Sequence, residues 1–165
     1  KLRRVPETVW CVLTGCFCAV YLLFFAVQGS YLFGAFTRTL PEGYTVAEYA
    51  RQGFFELCRV MALNFVLLWL VARMSKPPVS ERKVSLALCV TLLAESILFA
   101  VIALSKLALY IDCFGFTPLR LQSTWLALVL LAGCAAALYS LITGRRSCRA
   151  WMIFGAVTLS ALCWV

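Results

Sequence analysis

The chain has 165 residues, of which 64% are apolar and 13% are charged, and its net charge is +8. Soluble domains are about half apolar and about one-quarter charged, so this composition excludes an ordinary soluble fold. The apolar residues lie in long blocks, and a helix needs about 20 such residues to cross a bilayer. We therefore predict an all-α, polytopic transmembrane helix bundle.

Five apolar blocks predict about five membrane helices: Thr8–Phe36, Phe54–Ala72, Val84–Leu104, Leu121–Thr143 and Ala150–Val165. The first block is longer than one crossing, so we expect it to tilt or to extend beyond the bilayer. The chain begins without methionine, and its last block ends without a polar flank. We therefore expect residues 1–165 to form a single transmembrane module of a longer multi-pass protein.

The distribution of lysine and arginine predicts the orientation. Ten of these cations lie at the amino end and in the second and fourth connections, against four in or near the first and third connections. Because the positive connections of membrane proteins face the cytoplasm, residues 1–7, 73–83 and 144–149 should be cytoplasmic. We expect a protein of the cell membrane with a cytoplasmic amino end. No nucleic-acid partner is expected, because the cations are divided among short loops rather than forming one stripe.

Nine cysteines and no histidine limit the chemistry. Most of the cysteines lie within apolar blocks, where a thiol packs as a small hydrophobe. Cys16-Phe17-Cys18 lacks the spacing of a zinc or thioredoxin motif. There is also no Gly-x-Ser-x-Gly elbow and no phosphate-binding glycine loop. We therefore predict no metal, no cofactor and no catalytic residue.

The first connection, Thr37–Gly53, contains two local signals. Pro41-Glu42-Gly43 is typical of a turn. Thr45 and Glu48 have the spacing of a capping box, which predicts the start of a short external amphipathic helix. This helix either lies at the outer surface or bends at Gly53 into the second membrane helix.

The other connections contain helix stop and start signals. Pro77-Pro78 should end the second helix after Met74. Asp112 lies in a segment that extends the third helix beyond the membrane, Gly115 predicts its end, and Pro118 predicts the start of the fourth helix.

Three charged residues interrupt the apolar runs: Glu56, Arg59 and Glu95. Charges at membrane depth are costly, so each is a candidate functional residue. Arg59 lies fourteen residues from Arg73, or about 21 Å along a helix. Glu95 lies twelve residues from Lys83, or about 18 Å. These similar depths predict an Arg59–Glu95 ion pair with Glu56 beside it.

The same charges also predict which face of the second helix points into the bundle. Glu56, Arg59, Leu63 and Asn64 share one side by three- and four-residue steps, and we expect that side to face inward. Such a cluster either binds a ligand or ion, or is a structural pair that fixes helix register.

Polar residues near the third connection form the outer part of the predicted cluster. Lys106 lies eleven residues after Glu95, about 16 Å further outward. With Asp112 and Arg120 it either surrounds the mouth of a site or extends toward the interface. The complete set of candidate ligand-binding residues is Tyr49, Arg51, Glu56, Arg59, Glu95, Lys106, Tyr110, Asp112 and Arg120.

Two segments carry a family resemblance. Tyr44–Leu57 reads YTVAEYARQGFFEL, and Lys106–Arg120 reads KLALYIDCFGFTPLR. Together they resemble GFFEL-type and LYIxxYGxTxxR-type motifs of a bacterial multi-pass membrane family of unknown function. The resemblance covers Phe36–Trp125, and Phe114 stands where that family's motif has tyrosine. It implies further membrane helices, emphasises motif residues on the external side, and includes members described as permeases.

We expect this protein to bind, sense or transport a small ligand or ion at an outward-facing polar cluster. The alternatives are a structural or assembly subunit of a membrane complex and, second, a membrane-embedded enzyme. The expected partners are the lipid bilayer, an unknown small ligand or ion, and either a second copy of the chain or other membrane subunits. Ala132, Gly133, Ala136 and Ala137 have a spacing that lets membrane helices approach closely, within a subunit or between copies.

Overall fold

A computed structural model describes residues 6–29, 32, 43, 45–74, 83–143, 148–162 and 164. These residues form five helices: α1 (Glu7–Val27), α2 (Val46–Met74), α3 (Lys83–Phe114), α4 (Pro118–Thr143) and α5 (Cys148–Leu162). No strand occurs among them, so the predicted all-α fold is confirmed. The predicted turn at residues 41–42 and most of the basic connections, residues 75–82 and 144–147, lie outside the described residues.

Four of the described helices, α1 to α4, are long and apolar enough to cross a membrane. The fifth, α5, is apolar but has only 15 residues. The prediction of about five crossings is therefore supported for four helices by length. The long helices also leave large apolar side chains exposed, among them Val20, Leu23 and Trp69. Such side chains are suited to contact with lipid tails, and the chain is an integral membrane protein.

The predicted capping box begins α2. Glu48 donates its backbone N–H to Thr45 Oγ1 at 3.3 Å, and Thr45 donates its backbone N–H to a Glu48 carboxylate oxygen at 3.4 Å. This reciprocal pair satisfies two backbone donors that a helix start leaves without partners. The helix then continues through Gly53 without interruption. The predicted external helix is therefore the first part of α2 rather than a separate element.

The corner between α3 and α4 also follows the sequence signals. Gly115 has a φ of +75°, a left-handed conformation that favours glycine, and its N–H donates to the carbonyl of Ile111 at 2.8 Å. Pro118 is the first residue of α4, where a missing N–H costs nothing. Both the end of α3 and the start of α4 are confirmed.

The centre of the bundle is α3, which packs against α1, α2 and α4. Its contact with α2 is the most extensive of the three. Phe99, Ala100, Ile102 and Ala103 of α3 are completely buried. Glu95, Ser96 and Lys106 of the same helix are also buried, so these polar side chains lie in helix–helix contacts.

Close packing joins α5 to α4 and α2. A Cβ atom added to Gly133 would lie 2.8 Å from the Trp151 ring and 2.9 Å from Phe65, so only glycine fits there. The rings of Phe65 and Trp151 are stacked, with centroids 5.5 Å apart. Gly133 thus accommodates aromatic side chains of α2 and α5 within the subunit, whereas the close approach of helices through the four small residues stays a prediction.

Candidate functional site

Lys106 is enclosed at the end of the bundle where α2 and α4 begin and α3 ends. Its side chain and that of Tyr49 are both 0% exposed. The Lys106 ammonium lies 3.9 Å from the centroid of the Tyr49 ring, which is a cation–π contact. The Glu56 carboxylate is close enough to interact electrostatically with the ammonium. An aromatic ring and a nearby carboxylate therefore both compensate the buried cation.

Gly53 makes room for this lysine. A Cβ atom at that position would lie 2.5 Å from Lys106 Nζ and 2.8 Å from its Cδ. The side chain of Lys106 thus crosses the surface of α2 at a residue that has no Cβ atom. The glycine of the GFFEL-type segment has a packing role that the sequence pattern did not reveal.

A groove of about 570 Å³ opens beside this contact. Its polar lining includes Arg51 from α2, Tyr110 from α3, and Arg120 from α4. The rest of the wall is largely apolar and includes Phe54 and Leu126. We call this feature the arginine groove, because its two charged lining residues are arginines from different helices.

Local contacts hold Arg120 in place. Its guanidinium lies 4.3 Å from the centroid of the Tyr110 ring and 5.8 Å from that of Phe114. One of its N–H groups donates to the carbonyl of Gly115 at the α3–α4 corner. The corner and the last turn of α3 therefore orient the cation that faces the groove.

Glu95 lies far from this groove, in the contact between α1 and α3. It is 6% exposed, and neither carboxylate oxygen has a hydrogen-bond partner among the described residues. The Cys18 thiol of α1 lies close enough to the carboxyl to act as a weak donor, and the Tyr21 hydroxyl lies within its electrostatic range. The Cys18 thiol contacts the carbonyl of Leu88 at 3.7 Å, which also belongs to the α1–α3 contact.

A chain of hydrogen bonds crosses three helices next to Glu95. Tyr21 donates its hydroxyl to Asn64 Oδ1 at 2.7 Å, and Asn64 donates Nδ2–H to Ser96 Oγ at 2.8 Å. Ser96 in turn donates to the carbonyl of Leu92 at 2.8 Å. Each of these polar groups is thereby satisfied inside the bundle. We call Tyr21, Asn64 and Ser96 the core polar chain.

The predicted Arg59–Glu95 ion pair is wrong. Arg59 is exposed on the outer face of α2, whereas Glu95 is buried and faces α1. The prediction that Glu56, Arg59, Leu63 and Asn64 face the bundle interior is also wrong. Of these four residues of α2, only Asn64 is buried. The buried face of α2 instead follows residues such as Tyr49, Phe54, Leu57, Met61 and Asn64. Arg59 and Glu95 were predicted to pair because they lie at similar depths. Depth alone, however, does not determine which way each helix is rotated about its axis.

The nine candidate residues therefore fall into separate places. Tyr49, Glu56 and Lys106 meet at one contact, and Arg51, Tyr110 and Arg120 line the adjacent groove. Asp112 is exposed near the end of α3. Glu95 and Arg59 join neither group. Sequence reasoning noted Asn64 but missed its partners Tyr21 and Ser96, although polar residues within apolar helices were the available signal.

The described residues contain no group of three histidine, cysteine, aspartate or glutamate side chains that could hold a metal ion. Cys18, Cys58, Cys89 and Cys134 are buried, as expected of thiols that pack as hydrophobes. Cys16 is exposed on α1.

Comparisons with curated proteins and with solved structures found no match. One family model, described as a domain of unknown function, covers the chain from end to end. That description names no ligand and assigns no role to a residue, and the bacterial origin stays a prediction. Because the match extends over residues 1–165, the chain belongs to the DUF4153 family.

Proposed function

We propose that this membrane protein binds a small anionic ligand with an apolar portion in the arginine groove. The observation that carries the proposal is that Arg51 from α2 and Arg120 from α4 line one groove, together with Tyr110 from α3. With the predicted orientation, the groove faces outward. Both sensing and transport of a ligand require that the ligand bind in this groove.

The lining defines the class of ligand. Guanidinium groups recognise carboxylates and phosphates, often through two parallel hydrogen bonds. The apolar residues Phe54, Leu107 and Leu126 favour a ligand that also carries hydrocarbon. The groove volume, about 570 Å³, lies within the range of about 300–1,000 Å³ that is usual for small-molecule sites.

A structural role is the competing proposal, and one observation favours it. Lys106 is completely buried against Tyr49 and Gly53, so its charge is not available to a ligand from outside. In that role, the buried lysine and the arginine stacked on Tyr110 fix the end of the α2–α3–α4 bundle. Buried charges can specify helix register in this way.

Ligand-induced stabilisation of the full-length protein in detergent micelles distinguishes the two roles. The probes are a short-chain phosphatidic acid, its uncharged diacylglycerol counterpart, and inorganic phosphate. We expect the phosphatidic acid to raise the unfolding temperature, since a ligand at 100 times its Kd stabilises by about 2.7 kcal/mol. Diacylglycerol should have little effect. A response to phosphate alone would identify a free anion, rather than a lipid headgroup, as the ligand source.

Arg51→Gln should remove the stabilisation, because it deletes one of the two guanidinium groups that line the groove. Arg59→Gln is the matched control, because Arg59 lies on the same helix but outside the groove. An equal shift in Arg51→Gln and in the unmodified protein would contradict the proposal. So would an equal response to the neutral lipid. Either result would favour the structural role.

A further inference from the structure

Glu95 has surroundings that differ from those of a structural ion pair. It is more than nine-tenths buried, and neither carboxylate oxygen accepts an N–H or O–H hydrogen bond among the described residues, while the weakly donating Cys18 thiol lies beside the carboxyl. One turn later on the same face, Phe99 is completely buried by aromatic rings of α1, including Phe25, whose centroid is 4.7 Å away. The carboxyl group therefore lies in an apolar, closely packed helix contact.

No described cation compensates this carboxyl group. Arg59 lies on the exposed face of α2. Lys106 lies eleven residues further along α3, a distance of about 16 Å, and contacts Tyr49. An ionised carboxylate in an apolar setting costs several kcal/mol unless it is paired, and such groups instead take up a proton.

The members of the core polar chain do not donate hydrogen bonds to the Glu95 carboxyl group. Ser96, the next residue, donates to a backbone carbonyl, and Asn64 donates to Ser96. Tyr21 donates to Asn64. The core polar chain is thus satisfied within itself, and none of its three donors is directed to Glu95.

The titratable and charged groups around Glu95 can be named for each packed helix. From α1 these are Cys18 and Tyr21, and Cys89 of α3 interacts with Cys18. From α2, the side chain at this level is the neutral Asn64, while the charged Glu56 and Arg59 are exposed. On α4, which also packs against α3, the buried titratable group among the described residues is Cys134. None of these groups is a cation.

We propose that Glu95 is a proton-binding site whose protonated form is the one packed between α1 and α3. Loss of the proton places a negative charge in this contact, so α1 must separate or water must enter. Among the described helices, α1 packs chiefly against α3, so its docking depends mainly on this contact, with the Tyr21–Asn64 hydrogen bond to α2 beside it. Proton occupancy and α1 docking are then coupled, and each must influence the other by the same free energy.

Infrared spectroscopy of the full-length protein in lipid bilayers tests the proposal. A protonated carboxylic acid has a carbonyl stretch that is well separated from the bands of a carboxylate. We expect such a band at neutral pH, and we expect it to move when the protein is labelled with ¹³C-glutamate. Titration toward alkaline pH should remove it. Glu95→Gln should abolish the band, and Glu56→Gln, the matched control, should retain it.

A second variant keeps the test decisive if Glu95→Gln fails to fold. In Glu95→Asp a protonated band should persist at neutral pH but should no longer move with the ¹³C-glutamate label. Absence of a protonated glutamate band in the unmodified protein at neutral pH would overturn the proposal. A band that survives Glu95→Gln or that is lost in Glu56→Gln would assign the proton to another residue and would also overturn it. These outcomes are independent of ligand binding in the arginine groove.

Discussion

Two regions of α3, around Lys106 and around Glu95, bury an ionisable side chain in different ways. Lys106 lies 3.9 Å from the centre of the Tyr49 ring and near the Glu56 carboxylate. Glu95, by contrast, lies near apolar side chains, the Cys18 thiol and the Tyr21 hydroxyl, with no N–H or O–H hydrogen bond to either oxygen among the described residues. The lysine lies beside two groups that favour its charge, whereas no described cation lies beside the glutamate, which we propose is held as the neutral acid. Two ionisable residues on one membrane helix can therefore have different roles, which their surroundings decide.

The largest effect should come from forcing a charge into the Glu95 position. Glu95→Arg introduces a group that does not lose its proton, and we expect a loss of about 3–5 kcal/mol in the free energy of unfolding. Glu95→Gln should change it by less than about 1 kcal/mol, because it resembles the neutral acid. Denaturant titration in mixed micelles measures both, with Glu95→Met as the control for side-chain size. Equal stability of the arginine and glutamine variants would mean that this contact is hydrated.

The Lys106 contact should be sensitive to a single added methyl group. Gly53→Ala places a Cβ atom against Lys106 Nζ and Cδ, and we expect a loss of about 1–3 kcal/mol from overpacking. Gly15→Ala in α1 is the matched control, because its Cβ would meet only Leu88 Cδ2 at 3.9 Å. There, alanine should gain up to about 1 kcal/mol from its higher helix propensity. If the two variants were equally stable, Lys106 would be able to leave its contact at little cost.

Sequence reasoning succeeded where a local signal fixes a local structure. The Thr45–Glu48 capping box, the helix end at Gly115 and the start at Pro118 each depend on a few neighbouring residues, and all three are confirmed. It failed for Arg59, because the lipid-facing and protein-facing sides of a membrane helix are both apolar. Hydrophobic periodicity then does not identify the buried face.

The arginine groove was predictable only in part. The motif residues Arg51, Tyr110 and Arg120 were identified, but their arrangement depends on helix rotation and on the corner at Gly115. The space for Lys106 is created by the absence of a side chain at Gly53, and sequence alone does not show which neighbour uses such a space. The core polar chain was not predictable from the sequence, because its three members lie on three different helices whose relative positions must be known.

A smaller effect is expected in the core polar chain. Tyr21→Phe removes the hydroxyl that donates to Asn64 at 2.7 Å and should cost about 1 kcal/mol. The combination with Asn64→Leu should cost less than the sum of the two single changes, because both remove the same bond. Additive losses in this double-mutant cycle would show that the bond does not stabilise the bundle. The result would also show whether α1 docking depends on Glu95 alone.

The smallest effect should come from the ring beneath Arg120. Tyr110→Phe keeps a ring below the guanidinium, which lies 4.3 Å from its centroid, and should be nearly neutral. Tyr110→Leu removes the cation–π contact and should cost about 0.5–1 kcal/mol. It should also weaken phosphatidic acid binding, since Arg120 loses its support. Equal ligand affinity in the two variants would indicate that the corner at Gly115 alone orients the arginine.

The paired indole hydrogen bonds between α4 and α5 have a mechanical consequence. Trp125 of α4 donates to Thr158 at 3.0 Å, and Trp151 of α5 donates to the carbonyl of Val129 at 2.8 Å. A slide of one helical turn, about 5.4 Å, would break both bonds. The two helices should therefore shift along their axes together, as one rigid unit. Arg120 lies in the first turn of α4, so an axial displacement of α5 should also displace Arg120 and change the width of the arginine groove.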